Sequence, residues 1–91
     1  MKNITVTKCI GMNIRILRQL HGMSTRTLAK ELNISQQQIS RYERGVNKID
    51  ASLIYRLHVF FNVSIDVFFK DINDEIKYNY EYYCIFDNGT L

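Results

Sequence analysis

Apolar side chains recur at helical spacing along most of the chain, and residues that cap or end helices punctuate them. Ile10, Ile14, Leu17 and Leu20 fall at i, i+4, i+7 and i+10, one face of a helix. Gly22 ends this segment, because Gly accepts the left-handed conformation that follows a helix. Ser24 is placed to cap a second helix, with Leu28, Ala29 and Leu32 facing inward. Asn33 stops it, being a residue that tolerates the left-handed region. Ser35 caps a third helix over about residues 36–44, and Gln38 is spaced to complete a capping box on the Ser35 backbone. Ile39 and Tyr42 supply the inner face, and Gly45 ends the helix. Asp50 caps a fourth helix, with Ile54, Leu57 and Phe61 on one side and Asn62 closing it. Ser64 caps a short fifth helix over 65–69, where Asp66 sits well against the N-terminal dipole.

The two ends follow a different pattern. Residues 3–8 alternate weakly and are rich in β-branched types, which predicts an arm or short strand. In the tail, Ile76, Tyr78, Tyr80, Tyr82, Cys84 and Phe86 alternate as in a strand. Ile72, Ile76, Tyr80 and Tyr83 also fit a helix; the aromatic content favours the strand. The expected organisation is an arm over 1–9, a compact all-α domain of five helices over 10–70, and an aromatic tail over 71–91.

Composition narrows the function. With 91 residues and 46% apolar side chains, the chain fits one small globular domain. No apolar run is long enough for a bilayer and no signal-peptide core follows Lys2, so a cytoplasmic protein is expected. Cys9 and Cys84 are read as two reduced thiols, and no Cys/His cluster has zinc spacing. The net charge of +3 hides an asymmetry. Residues 1–70 carry eleven basic and four acidic side chains, whereas 71–91 carry Lys77 against five acids. A basic body of this kind suits a polyanion. His21 and His58 have no nucleophile partner, the acids form no pair, and there is no Gly-rich phosphate loop. Neither catalysis nor a metal or cofactor is expected.

The informative stretch is residues 28–39, where two short helices are joined by a turn of helix-turn-helix length. Ala29 is small where the helices cross, Asn33 occupies the turn, and Ile39 packs back on the first helix. At roughly 100° per residue, Gln36, Ser40, Arg44, Gln37 and Arg41 share an arc of about 140° on the third helix. Ile39, Tyr42 and Glu43 lie opposite. The outer arc contains only hydrogen-bonding or cationic groups. Gln pairs in two ways with adenine, and Arg pairs in two ways with guanine or holds a phosphate. Base reading is the expectation, set against a plain solvated face. Gln38 is accounted for by capping.

With these residues in view, the chain from about Ile10 to Lys70 resembles the lambdoid repressor and Cro family of helix-turn-helix proteins, the XRE family. The matching strings are Ile14-Arg15-Ile16-Leu17-Arg18, Met23-Ser24-Thr25-Arg26-Thr27-Leu28-Ala29, Ile34 through Gly45, and Val63-Ser64-Ile65-Asp66. The resemblance implies a five-helix domain with helix three in the major groove of double-stranded DNA. It implies that Gln36, Gln37 and Arg41 touch bases, with Ser40 a further candidate, and that Arg18 and Glu43 tie helix one to helix three. Glu43, on the inner side of helix three, independently calls for a cation. Phosphate contacts are expected from Thr25, Arg26, Arg44, Asn47 and Lys48, flanking the reading helix. Two departures stand out. Thr25 replaces the family's usual Gln at the start of helix two, which shortens its reach. His58 replaces a usual Ala, and a half-buried His donating to a backbone carbonyl is expected there.

One helix-turn-helix reads only part of a groove turn, so a homodimer on a pseudo-palindrome is expected. Val67, Phe68, Phe69 and the tail are candidate interface residues, set against a tail that covers its own core. The leading reading is a bacterial or phage transcriptional regulator of repressor type. The alternative is an antitoxin-like module whose residues 71–91 hold a protein partner, with DNA binding for autoregulation.

Overall fold

A computed structural model describes residues 6–70. The first five residues of the arm and the tail over 71–91, with its expected strand, lie outside the described residues. Within them are four α-helices, α1 Val6–Leu20, α2 Thr25–Leu32, α3 Gln36–Glu43 and α4 Ala51–Phe61, followed by a 3-10 helix, Ile65–Phe69. No strand occurs among the described residues.

Local chemistry sets most of the boundaries. The hydroxyls of Ser24 and Ser35 accept the backbone N–H of Thr27 and Gln38, each at 3.0 Å. Asp50 Oδ1 accepts the N–H of Leu53 at 2.8 Å. These side chains satisfy donors that a helix start otherwise leaves open. At the other ends, Asn33 and Asn62 adopt the left-handed region, with φ of 58° and 56°. Their own backbone N–H groups close the last turns of α2 and α4.

Three expectations about elements are corrected. Helix α1 begins at Val6, so residues 6–9 of the expected arm are helical. Propensity at Val6 and Thr7 does not favour this; tertiary packing does. Gly45, at φ 75°, brings the turn after α3 so close to α1 that a Cβ there would lie 2.5 Å from Lys8 Cγ. Second, Leu20 does not join Ile10, Ile14 and Leu17 in the core; it is 76% exposed. Its direction is about 80° round the helix from Ile10, and the chain turns away at Gly22. Third, the fifth helix is a single 3-10 element rather than an α-helix. Its bonds reach three residues back, Val67 N to Ser64 O at 3.0 Å and Lys70 N to Val67 O at 3.4 Å, and buried Asn13 holds its end, Nδ2 donating to the carbonyls of Phe68 at 2.9 Å and Lys70 at 3.0 Å. Lys70 then leaves in extended conformation, φ −62° and ψ 145°.

One core gathers Ile10, Ile14 and Leu17 of α1, Leu28, Ala29 and Leu32 of α2, Ile39 of α3, Leu53, Leu57 and Phe61 of α4, and Phe68. Phe68 is fully buried in its own domain, so it is withdrawn from the expected dimer contact, while Val67 and Phe69 are half-buried. Helix α1 packs on α3 and on the 3-10 helix, and α2 packs on α3. Gly11 makes the first of these contacts close: a Cβ there would meet Tyr42 O at 2.1 Å and Glu43 O at 2.9 Å.

Candidate nucleic-acid interface

Helix α3 is held from three sides. At its N-terminus Ser35 caps it, as described. At its C-terminus Glu43 faces α1, where Arg18 grips it in a fork. Nε donates to Oε2 at 2.6 Å and Nη2 to Oε1 at 3.0 Å. Both side chains are nearly buried, at 11% and 6% exposure. The third Arg18 nitrogen, Nη1, donates to Met23 O at 2.8 Å, which ties the turn before α2 into the same network. The hydrogen bonds that Arg18 donates to Glu43, and also the charge of Glu43, raise the Arg18 pKa above the ordinary value against the opposing effect of burial. The guanidinium therefore stays charged. A planar fork matches a carboxylate in two points, so the pair fixes rotation of α3 as well as distance.

The third restraint is the turn with α2. Gln36 Nε2 donates to Thr25 Oγ1 at 3.0 Å, bridging the first residues of α3 and α2. Thr25, short as it is, thus braces α3. Gln38 departs from the expected capping box. Its backbone N–H reaches Ser35, but its side-chain Nε2 donates to Tyr42 Oη at 2.9 Å. The two residues stand one helical turn apart, and the half-buried Tyr42 hydroxyl needs a partner.

These restraints present one face of α3 outward. Gln36, Gln37, Arg41 and Arg44 are exposed, and Ser40 is half-buried among them. The single acid of α3, Glu43, is turned inward and paired with Arg18, so the exposed arc carries no negative charge. Thr25 and Arg26 begin α2 beside the start of α3, with Thr25 half-buried and Arg26 exposed. Beyond the other end, Gly45 N donates to Tyr42 O at 3.0 Å and Val46 N to Arg41 O at 2.9 Å. This turn leads directly to Asn47, half-buried, and Lys48, exposed. Thr25 and Arg26 thus lie at one end of the exposed arc of α3, and Arg44, Asn47 and Lys48 at the other.

His58 accounts for itself locally. Its Nδ1 lies 2.6 Å from Val63 O, closing the turn after α4. Two residues that matter to the site carried no functional signal in the sequence. Gly11 permits the close α1–α3 approach, and its only hint was a Gly inside a helical pattern. Arg56 donates to Leu32 O, satisfying a carbonyl at the end of α2. No helix among the described residues is long and apolar enough to cross a membrane.

Comparisons with known proteins agree with this architecture. A family profile described as "Helix-turn-helix" matches residues 14–68. An HTH-type transcriptional regulator of Sinorhizobium medicae is 39% identical over 62 residues, covering 68% of this chain and 45% of the relative. Antitoxin PezA of Streptococcus pneumoniae is 36% identical over 63 residues, covering 68% of this chain and 40% of the antitoxin. The chain thus spans less than half the length of these curated relatives. The crystal structure of a hypothetical transcription factor, NHTF from Neisseria, shares the fold with a TM-score of 0.69 at 20% identity. That match covers 81% of this chain and 85% of the other. The extent of the profile match and the identity to the Sinorhizobium regulator, on a fold of matching helices, establish that the chain belongs to the XRE-type helix-turn-helix family.

Proposed function

We propose that this protein is a sequence-specific transcriptional regulator of repressor type, which acts in the cytoplasm as a homodimer on a pseudo-palindromic operator. Helix α3 enters the major groove, where Gln36, Gln37, Ser40 and Arg41 read bases. Thr25, Arg26, Arg44, Asn47 and Lys48 hold phosphates on either side. The observation that carries this reading is the acid-free outer arc of α3, kept so by the Arg18–Glu43 fork.

The bridge to Thr25 is compatible with base reading by Gln36. One of the two Nε2 protons is used by Thr25. The other proton and Oε1 are left to pair with N7 and N6 of an adenine. Phosphate contacts then set register, and the arc sets sequence. A dimer that places two such arcs one helical turn apart, about 34 Å, reads two half-sites.

The test is selection of bound fragments from genomic DNA at physiological salt, with light scattering for mass. An enriched pseudo-palindrome and a dimeric mass support the reading. Salt-sensitive binding without enrichment, or a monomer on DNA, refutes it. A second reading draws support from the likeness to an antitoxin: residues 71–91 hold a partner protein and DNA binding serves autoregulation. A co-purified protein partner lost with those residues would favour it.

A further inference from the structure

The four α-helices among the described residues all end in the same backbone closure. Gly22, Asn33, Gly45 and Asn62 are left-handed, at φ 66°, 58°, 75° and 56°. The residue after each donates its N–H to a carbonyl five residues back. Met23 reaches Arg18 O at 3.0 Å, Ile34 reaches Ala29 O at 3.0 Å, Val46 reaches Arg41 O at 2.9 Å and Val63 reaches His58 O at 3.3 Å. In such a closure this residue usually makes an apolar contact with the residues five and six before it. In three cases the residue six back is a buried Leu: Leu17, Leu28 or Leu57. Met23, Ile34 and Val63 are correspondingly half-buried against the core. Val46 is 61% exposed.

The difference has its cause in α3. The residues five and six before Val46 are Arg41 and Ser40, which belong to the outer arc and not to the core. The bond to Arg41 O therefore sets Val46 at the Arg41 edge of that arc. Its neighbours along the turn are exposed Arg44 and Lys48 and half-buried Asn47, all suited to phosphates. An aliphatic side chain in this company can neither hydrogen-bond a base nor hold a phosphate. Among the groups that base pairs present in the major groove, only the C5 methyl of thymine is apolar, and aliphatic side chains pack on it.

We infer that Val46 reads a thymine by packing on its C5 methyl group, beside the base that Arg41 contacts. Resting on the base reading proposed for α3, this contact adds an apolar position to a face otherwise made of hydrogen-bond donors and acceptors.

The test starts from the operator that fragment selection supplies. Each thymine is replaced in turn by deoxyuridine, which pairs with adenine as before and lacks only the methyl group. Titrations with the full chain should show a loss of about fourfold in affinity at one thymine per half-site, the effect of burying one methyl group. Val46→Ala should bind the thymine and deoxyuridine operators equally at that position. Its thermal melt and its affinity for nonspecific DNA should match those of the parent, because the side chain is exposed and touches no phosphate. Indifference of the parent chain to every thymine methyl overturns the inference. So does a penalty that persists in Val46→Ala, which would give the methyl group to another residue. In both cases an enriched operator leaves base reading by α3 standing. Selection without an enriched operator overturns base reading and the Val46 contact together.

Discussion

Replacing Gly11 with Ala sets two effects of opposite sign against each other, and the structure decides between them. Inside a helix Ala is favoured over Gly by about 1 kcal/mol. At position 11, however, the added methyl would stand 2.1 Å from Tyr42 O and 2.9 Å from Glu43 O. The first distance is more than 1 Å inside ordinary contact, about 3.5 Å. The obstacle is backbone at the end of α3, so no side-chain rotation relieves it. Overpacking of this kind costs about 3 kcal/mol, the upper part of its usual range. The net expectation is a loss of about 2 kcal/mol. For a domain of this size that lowers Tm by about 8–16 °C. Urea and thermal melts of Gly11→Ala measure it. Gly22→Ala is the control, since a Cβ there meets nothing within 4 Å and only the φ of 66° opposes it, at about 1–2 kcal/mol. Because α1 would be pushed from the helix whose Glu43 it holds, operator affinity should also fall in the folded protein. A Gly11→Ala protein as stable as the parent, or more stable, would refute the close approach of α1 and α3.

Other perturbations follow from the same geometry. Glu43→Gln leaves a nearly buried guanidinium without its charge partner and should destabilise by about 3–5 kcal/mol in urea melts. The double change Arg18→Met, Glu43→Leu should recover most of that loss. Asn13→Ala strips two carbonyls of their donor and should cost about 1–3 kcal/mol, with faster hydrogen exchange in the 3-10 helix. Gln37→Ala should relax preference at one base step by about 1–3 kcal/mol in competition binding and leave nonspecific affinity almost unchanged. Neutralising about six phosphates per dimer should give a log–log salt slope near −5 in operator titrations; a slope near zero would remove the phosphate contacts from the reading.

Local signals made much of this protein legible in its sequence. The caps at Ser24, Ser35, Asp50 and Ser64 act within three residues, as do the left-handed stops at Asn33 and Asn62. Such chemistry is short-range, and a linear reading captures it. The outer arc of α3 was equally accessible, because helical periodicity alone separates Gln36, Gln37 and Arg41 from Ile39 and Tyr42. The inward turn of Glu43 could be read as a demand for a cation, and resemblance to a family supplied Arg18.

What escaped the sequence depended on partners far along the chain. The helical state of residues 6–9 comes from contact with the turn after α3, and nothing local to Val6 or Lys8 announces it. The end of the last helix is held by Asn13, more than fifty residues earlier, whose amide takes the carbonyls of Phe68 and Lys70. Gln38 had a good local partner in Ser35, yet its side chain serves the Tyr42 hydroxyl, whose half-burial only packing creates. Leu20 matched the periodicity of the core, but the turn at Gly22 carries the chain away and leaves it in solvent. The sequence by itself determined which helices form, where they are capped and which face of α3 is polar, since those follow from interactions within a turn or two. Only the tertiary structure decided how closely α1 meets α3, which apolar residues stay exposed and how α3 is held, because distances across the fold, not neighbours in the chain, fix those energies.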